Sequence, residues 1–184
     1  MVVGIIIGVV VLLLLAWVAS TYNVLVKLRN TVEEAFSTMD VYLKKRWDLI
    51  PNLVATVKGY AKHESETLEK VMAARSGGYS ALSTDEKIAA NKELSGAITK
   101  LMAVAENYPE LKANQNFLEL QGELNSIEDD IANSRQYYNG TVKNYNNKVD
   151  MFPSNIIAGL FHFTRKQMFE VSSEAERENV KVEF

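Results

Sequence analysis

The chain has 184 residues, with 20 Lys and Arg against 23 Asp and Glu, a net charge of −3 and a pI near 5.5. That balance gives no electrostatic case for a nucleic-acid partner. The lack of any cysteine removes disulfides, thiolate catalysis and zinc–sulfur sites, and a content of three prolines and nine glycines suits long helices.

The first element is "MVVGIIIGVVVLLLLAWVA", Met1 to Ala19, without a charge or a strong polar group. A helix of this length, rising ~1.5 Å per residue, just crosses a ~30 Å hydrocarbon core. A cleaved signal is the rival reading. No basic residue precedes the run, and Trp17 and Ala19 make a poor cleavage pair, so a retained anchor over 1–20 is expected. Lys27, Arg29, Lys44, Lys45 and Arg46 follow the span, which places the N-terminus outside and the domain in the cytoplasm by the positive-inside rule. Gly4 and Gly8 have the spacing that lets two membrane helices approach, although glycine is common in spans for other reasons. Trp17 and Tyr22 suit an interfacial belt.

Beyond the span the predicted elements are helical. A helix over 21–48 carries Val24, Leu28, Val32, Phe36, Met39, Leu43 and Trp47 at three- and four-residue steps. A second, over 52–75, carries Leu53, Val54, Val57, Ala61, Leu68, Val71 and Met72, and ends before the loop "SGGYSALS". Ser83 to Glu86 reads as a capping box that opens a third helix over 84–106, with Ile88, Leu94, Ile98, Leu101 and Ala105 as its stripe. Pro109 opens the longest helix, 109–152, in which Phe117, Leu124, Ile131, Tyr138, Tyr145 and Phe152 fall seven residues apart. Pro153 ends it. A segment over 154–170 has Ile156, Ile157, Leu160, Phe161 and Phe163, followed by Arg165 and Lys166, and a polar tail occupies 171–184. Its apolar residues either pack across the end of the bundle or lie in the lipid interface, where Phe161 and Phe163 would join Trp17 and Tyr22.

Pro51 poses the main topological question. The apolar phase continues through it, which favours one kinked helix. One rod, however, leaves the second half of the longest helix and residues 24–47 without partners, an exposure that soluble surfaces rarely tolerate. A reversal near 49–51 removes both problems, so the expected fold is all-α: an N-terminal transmembrane helix, an antiparallel up-and-down four-helix bundle over 21–153 and a short C-terminal amphipathic helix. With either path at Pro51 the two proline corners meet, gathering Arg46, Asp48, Asn52, Glu106, Asn107, Asn114 and Asn116. These residues serve as helix caps and turn supports on one reading, and as a partner-binding surface on the other.

Three stretches resemble the LemA family: "YNVLVKLRNTVEEAFSTMDVYLKKRWDLIPNLVATVKGYAKHE", "ENYPELKANQNFLELQGELNSIEDDIANSRQYYN" and "FPSNIIAGLFHF". The resemblance covers Tyr22 to about Phe169. It implies a bacterial-type protein with a membrane helix and a helical-bundle domain, and it implies no reaction. Phe36 stands where the family suggests tryptophan, and Trp47 where it suggests a polar or small residue.

The residues themselves show no catalytic pattern. "HESET" (His63 to Thr67) fails as a zincin motif because position 67 is Thr67. Glu128, Asp129 and Asp130 are consecutive, so they point in different directions on a helix. No cofactor is expected. The leading expectation is a non-enzymatic scaffold or adaptor in the bacterial envelope, held by membrane lipid and meeting an envelope protein partner. A self-assembling membrane protein is the alternative, and an unrecognised hydrolase or metal-binding bundle a distant third.

Overall fold

The computed structural model describes residues 1–75 and 78–169. Among them are six α-helices, one 3-10 turn and no strand. The helices are α1 Val2–Tyr60, α2 Ser65–Ala74, α3 Thr84–Ala105, α4 Pro109–Lys112, α5 Gln115–Asp150 and α6 Ser154–Leu160. They form two compact units, one of Met1–Ser37 with Gln136–Met168, the other of Thr38–Arg135 with Phe169. The tail over 171–184 and the end of the 154–170 segment lie outside the described residues.

The expected reversal at Pro51 does not form. Helix α1 continues through Pro51 to Tyr60. A proline inside a helix leaves the carbonyl four residues earlier without a donor, here that of Trp47, and costs about 3 kcal/mol or more. Arg75, at the end of α2, supplies that donor: its Nε bonds the Trp47 carbonyl at 3.0 Å, and its guanidinium lies 5.9 Å from the Trp47 ring centre. Trp47, Leu49, Ile50, Leu53, Val54 and Val57 are all buried, so packing further offsets the cost of the proline.

The chain breaks instead at 61–64, within the helix expected over 52–75. Gly59 weakens the last turn of α1, and the buried Ala61 accepts a turn bond from the Glu64 amide at 3.2 Å. Helix α2 then packs on α3. Ser83 and Glu86 form a full capping box at the start of α3, whose apolar stripe is buried.

The helix expected over 109–152 is also divided. Asn114 accepts a bond from the Phe117 amide at 3.0 Å and caps α5, which ends α4 after four residues. Helix α5 closes at Asp150, so Phe152 falls off the seam and is 79% exposed.

The partners of a continuous rod come from α5 itself. Within the second unit, Arg46 pairs with Glu128 and Tyr60 with Asn114, fourteen residues forward on one segment and fourteen back on the other. Within the first unit, the Phe36 ring meets the Tyr138 ring at 5.7 Å. Helices α1 and α5 are therefore antiparallel, and Tyr138 of the seven-residue seam meets α1. In α1, Leu25 rather than Val24 is the inward residue, and Met72 of α2 faces out.

Candidate functional site

Among the described residues Arg46 is the largest fully buried side chain, only 1% exposed. The steps from Leu43 to Arg46 and Trp47, and on to Ile50, place it on the inward face of α1. Its guanidinium bonds the Glu128 carboxylate of α5 at 2.7 Å, the Asn91 carbonyl of α3 at 3.2 Å and the Asn91 side-chain oxygen. Only its Nε lacks a partner. Arg46, Asn91, Ser95, Thr99, Glu128 and Arg135 line a cavity of about 350 Å³. The Ser95 and Thr99 hydroxyls donate to α3 carbonyls at 3.0 Å, so their protons are committed to the backbone. The arrangement holds one charge pair and joins α1, α3 and α5. Setting register is the best-attested use of such a buried polar network.

A second network links the turn after α2 to α1. Tyr79 donates to Asp40 at 2.5 Å, and Lys87 of α3 bonds the other Asp40 oxygen at 2.7 Å. The Tyr79 ring packs on Trp47 with ring centres 5.3 Å apart, and Lys87 lies 4.8 Å from the Tyr79 ring centre. Burial, then the bond to the Asp40 carboxylate, drives the Tyr79 phenol well above its ordinary pKa.

The expected polar corner is divided. Arg46 faces Asn91, whereas Glu106, Asn107 and Asn114 lie beyond the other end of α3, about 22 Å further along by helical rise. There Asn114 bonds Tyr60 at 2.9 Å and Tyr108 bonds Glu64 at 3.3 Å, so the "ENYPELKANQNF" turn meets the 60–64 turn rather than Pro51. Glu106 pairs with Lys112 at 2.5 Å, and Asn107 bonds the Ala103 carbonyl at 3.4 Å. Asp48 pairs with Lys44 at 2.6 Å, while Asn52 and Asn116 are exposed.

The first unit holds the aromatic candidates. Tyr22 meets Phe161 at 4.8 Å and Phe163 at 5.7 Å, both edge to face. Phe163 is buried beneath Arg29, whereas Phe161 is exposed. Trp17 is exposed on α1, as are Gly4 and Gly8. Residues 163–168 lie outside any helix and are held by α5. Tyr138 donates to the Gln167 carbonyl at 2.8 Å, Tyr145 to that of Thr164 at 3.0 Å, and Asn146 makes two 2.9 Å bonds to the Lys166 backbone. Burial raises the Tyr145 pKa, Arg29 opposes the rise and Glu33 adds to it. The seam therefore uses tyrosine where a ring must fill the core and a hydroxyl must satisfy a strandless backbone. Asn146 escapes sequence reasoning, because an Asn on an amphipathic helix reads as surface.

Among the described residues no group of three or more His, Asp or Glu side chains is placed to hold a metal ion. The chain matches the LemA family over residues 35–184. It is 28% identical over 162 residues to Protein LemA of Metamycoplasma hominis, covering 86% of this chain and 72% of that protein. It is 27% identical over 179 residues to Magnetosome protein MamQ 2 of Paramagnetospirillum magneticum, covering 81% of this chain and 64% of that protein. It is 24% identical over 174 residues to Magnetosome protein MamQ of Magnetospirillum gryphiswaldense, with 80% and 64% covered. The chain thus spans somewhat under two thirds of these MamQ relatives.

Proposed function

Because the chain belongs to the LemA family, we propose that it is a single-pass membrane protein whose helical bundle acts as a non-enzymatic scaffold or adaptor in the bacterial envelope. One observation carries this reading. The apolar first part of α1, long enough to cross a membrane and unburied by the protein, passes without a break into the buried face of the same helix. In lipid that run satisfies its own backbone and needs no protein partner. The cations after the span favour a cytoplasmic domain. The exposed residues of the 106–116 turn, Asn107 and Asn116 among them, offer a partner surface whose supporting bonds are already made.

A self-assembling protein is the second reading, and it draws on Gly4 and Gly8, where an added Cβ would meet nothing within 4 Å. Crosslinking in native membranes, then gentle detergent extraction and mass measurement, separates the two. A complex with a different polypeptide supports the adaptor, and one made only of this chain supports self-assembly. A lone chain with no crosslinked product contradicts both.

A further inference from the structure

Helix α6 and the turns flanking it carry an apolar surface that the protein leaves open. Phe152 is 79% exposed, Leu160 66% and Ile156 58%, with Met151 and Phe161 exposed beside them. The inward side is closed: Ile157, Ala158 and Phe163 are buried. The Ser154 hydroxyl reaches the α5 carbonyl of Lys148 at 2.7 Å and that of Met151 at 2.9 Å. The Phe163 amide bonds the Ala158 carbonyl at 2.9 Å, and the His162 amide that of Gly159 at 3.3 Å. His162 sits at φ 58°, the left-handed position of a Schellman close. The outward apolar face is thus held on a fixed frame, and Phe152, Ile156 and Leu160 fall four residues apart along it.

Its position is set by Tyr22. That ring touches Phe161 and Phe163, and Tyr22 stands one helical turn beyond the apolar run of α1. The exposed face therefore lies at the depth where a spanning helix leaves the hydrocarbon. Charge agrees with that position. The unit of Met1–Ser37 with Gln136–Met168 holds six cations (Lys27, Arg29, Lys143, Lys148, Arg165 and Lys166) against the acids Glu33, Glu34 and Asp150, a net +3. The whole chain is −3, so the remainder carries −6.

We propose that α6 with its flanking turns is a second membrane contact, which seats Phe152, Ile156, Leu160 and Phe161 in the lipid interface while the surrounding cations engage anionic phospholipid headgroups. This rests on the reading of α1 as a membrane span. An apolar face beside a cationic rim is the pattern of interfacial helices, and cations near a membrane surface favour anionic lipid. The contact would fix how the domain stands on the bilayer, which a single span leaves free to rotate.

The absence of cysteine makes the test clean. Single variants Ile156→Cys, Leu160→Cys, Tyr137→Cys and Leu12→Cys of the full chain would carry an environment-sensitive fluorophore. They would be reconstituted in vesicles with spin-labelled lipids as depth-resolved quenchers. Tyr137 is exposed on α5, about 20 Å before Asp150 by helical rise, and serves as the aqueous reference. The expected result is several-fold stronger shallow quenching at 156 and 160 than at 137, and stronger still when phosphatidylglycerol is mixed into phosphatidylcholine. Quenching at 156 and 160 no greater than at 137, with Leu12→Cys deeply quenched, overturns the proposal and spares the anchor. If Leu12→Cys also escapes quenching, the anchor itself fails. Equal quenching in both lipid mixtures overturns the headgroup assignment. Self-quenching that grows with protein density, without lipid quenching, assigns the face to a second copy of the chain and overturns the proposal.

Discussion

Pro51 takes one amide from α1, and Arg75 returns a donor to the carbonyl left behind, that of Trp47. The two residues should therefore be energetically coupled. Arg75→Met should cost about 1–2 kcal/mol, the worth of a charge-assisted bond to a shielded carbonyl. In a Pro51→Ala background the helical N–H is restored, and the same change should cost about 1 kcal/mol less. Thermal unfolding of the four proteins in detergent reads this, at ~2–4 °C per kcal/mol for a chain of this size. An equal cost in both backgrounds would show that Arg75 does not stand in for the missing amide. Tyr79 makes a second prediction. Burial and the Asp40 carboxylate stabilise its neutral phenol, so the folded-state pKa lies above the unfolded value of about 10. A group shifted in that direction contributes its full stability below about pH 10 and loses it as the pH rises further. Tyr79→Phe should therefore be less stable than the parent near neutrality, and the difference should shrink in midpoints measured above pH 10. A constant difference from pH 7 to 11 would show that the phenol is not held neutral by the fold.

At the scale of elements, the Arg46–Glu128–Asn91 network joins α1, α5 and α3. Glu128→Ala should cost about 2–3 kcal/mol. That is below the 3–5 usual for an orphaned buried charge, because the Glu128 side chain is 40% exposed and Asn91 remains. Arg46→Met together with Glu128→Gln should cost less than Glu128→Ala alone, since no uncompensated charge is left inside. A double variant worse than the single one would mean that the pair is net stabilising. The same network explains what was readable in the sequence. The span, the Ser83–Glu86 cap, the α3 stripe and the α5 heptads are signals held within a few residues, and periodicity reports them directly. The path through Pro51 depends on Arg75, and the fate of Arg46 on partners 45 and 82 residues away. No local pattern encodes such partners, and unpaired lengths mislead when α5 is set against α3 alone rather than against α1. Asn114 caps α5, but Arg46 does not join it, because the 106–117 turn meets the 60–64 turn rather than Pro51.

For the whole molecule, one helix, α1, holds both the apolar run and buried residues from Leu25 to Val57. A span joined to a domain by a loose turn transmits little of its orientation, whereas α1 is one helix from Val2 to Tyr60. Family membership and the unburied apolar run support the anchored reading. Val41 and Lys58 are exposed on α1 on either side of Pro51. Spin labels at Val41→Cys and Lys58→Cys, in a chain with no other cysteine, allow one pulsed-resonance distance measurement. An unbroken α1 predicts backbone positions about 25 Å apart, seventeen residues at the helical rise. A reversal at Pro51 would bring the two positions onto neighbouring antiparallel helices, about 10 Å apart between axes, and a distance distribution centred there would contradict the account.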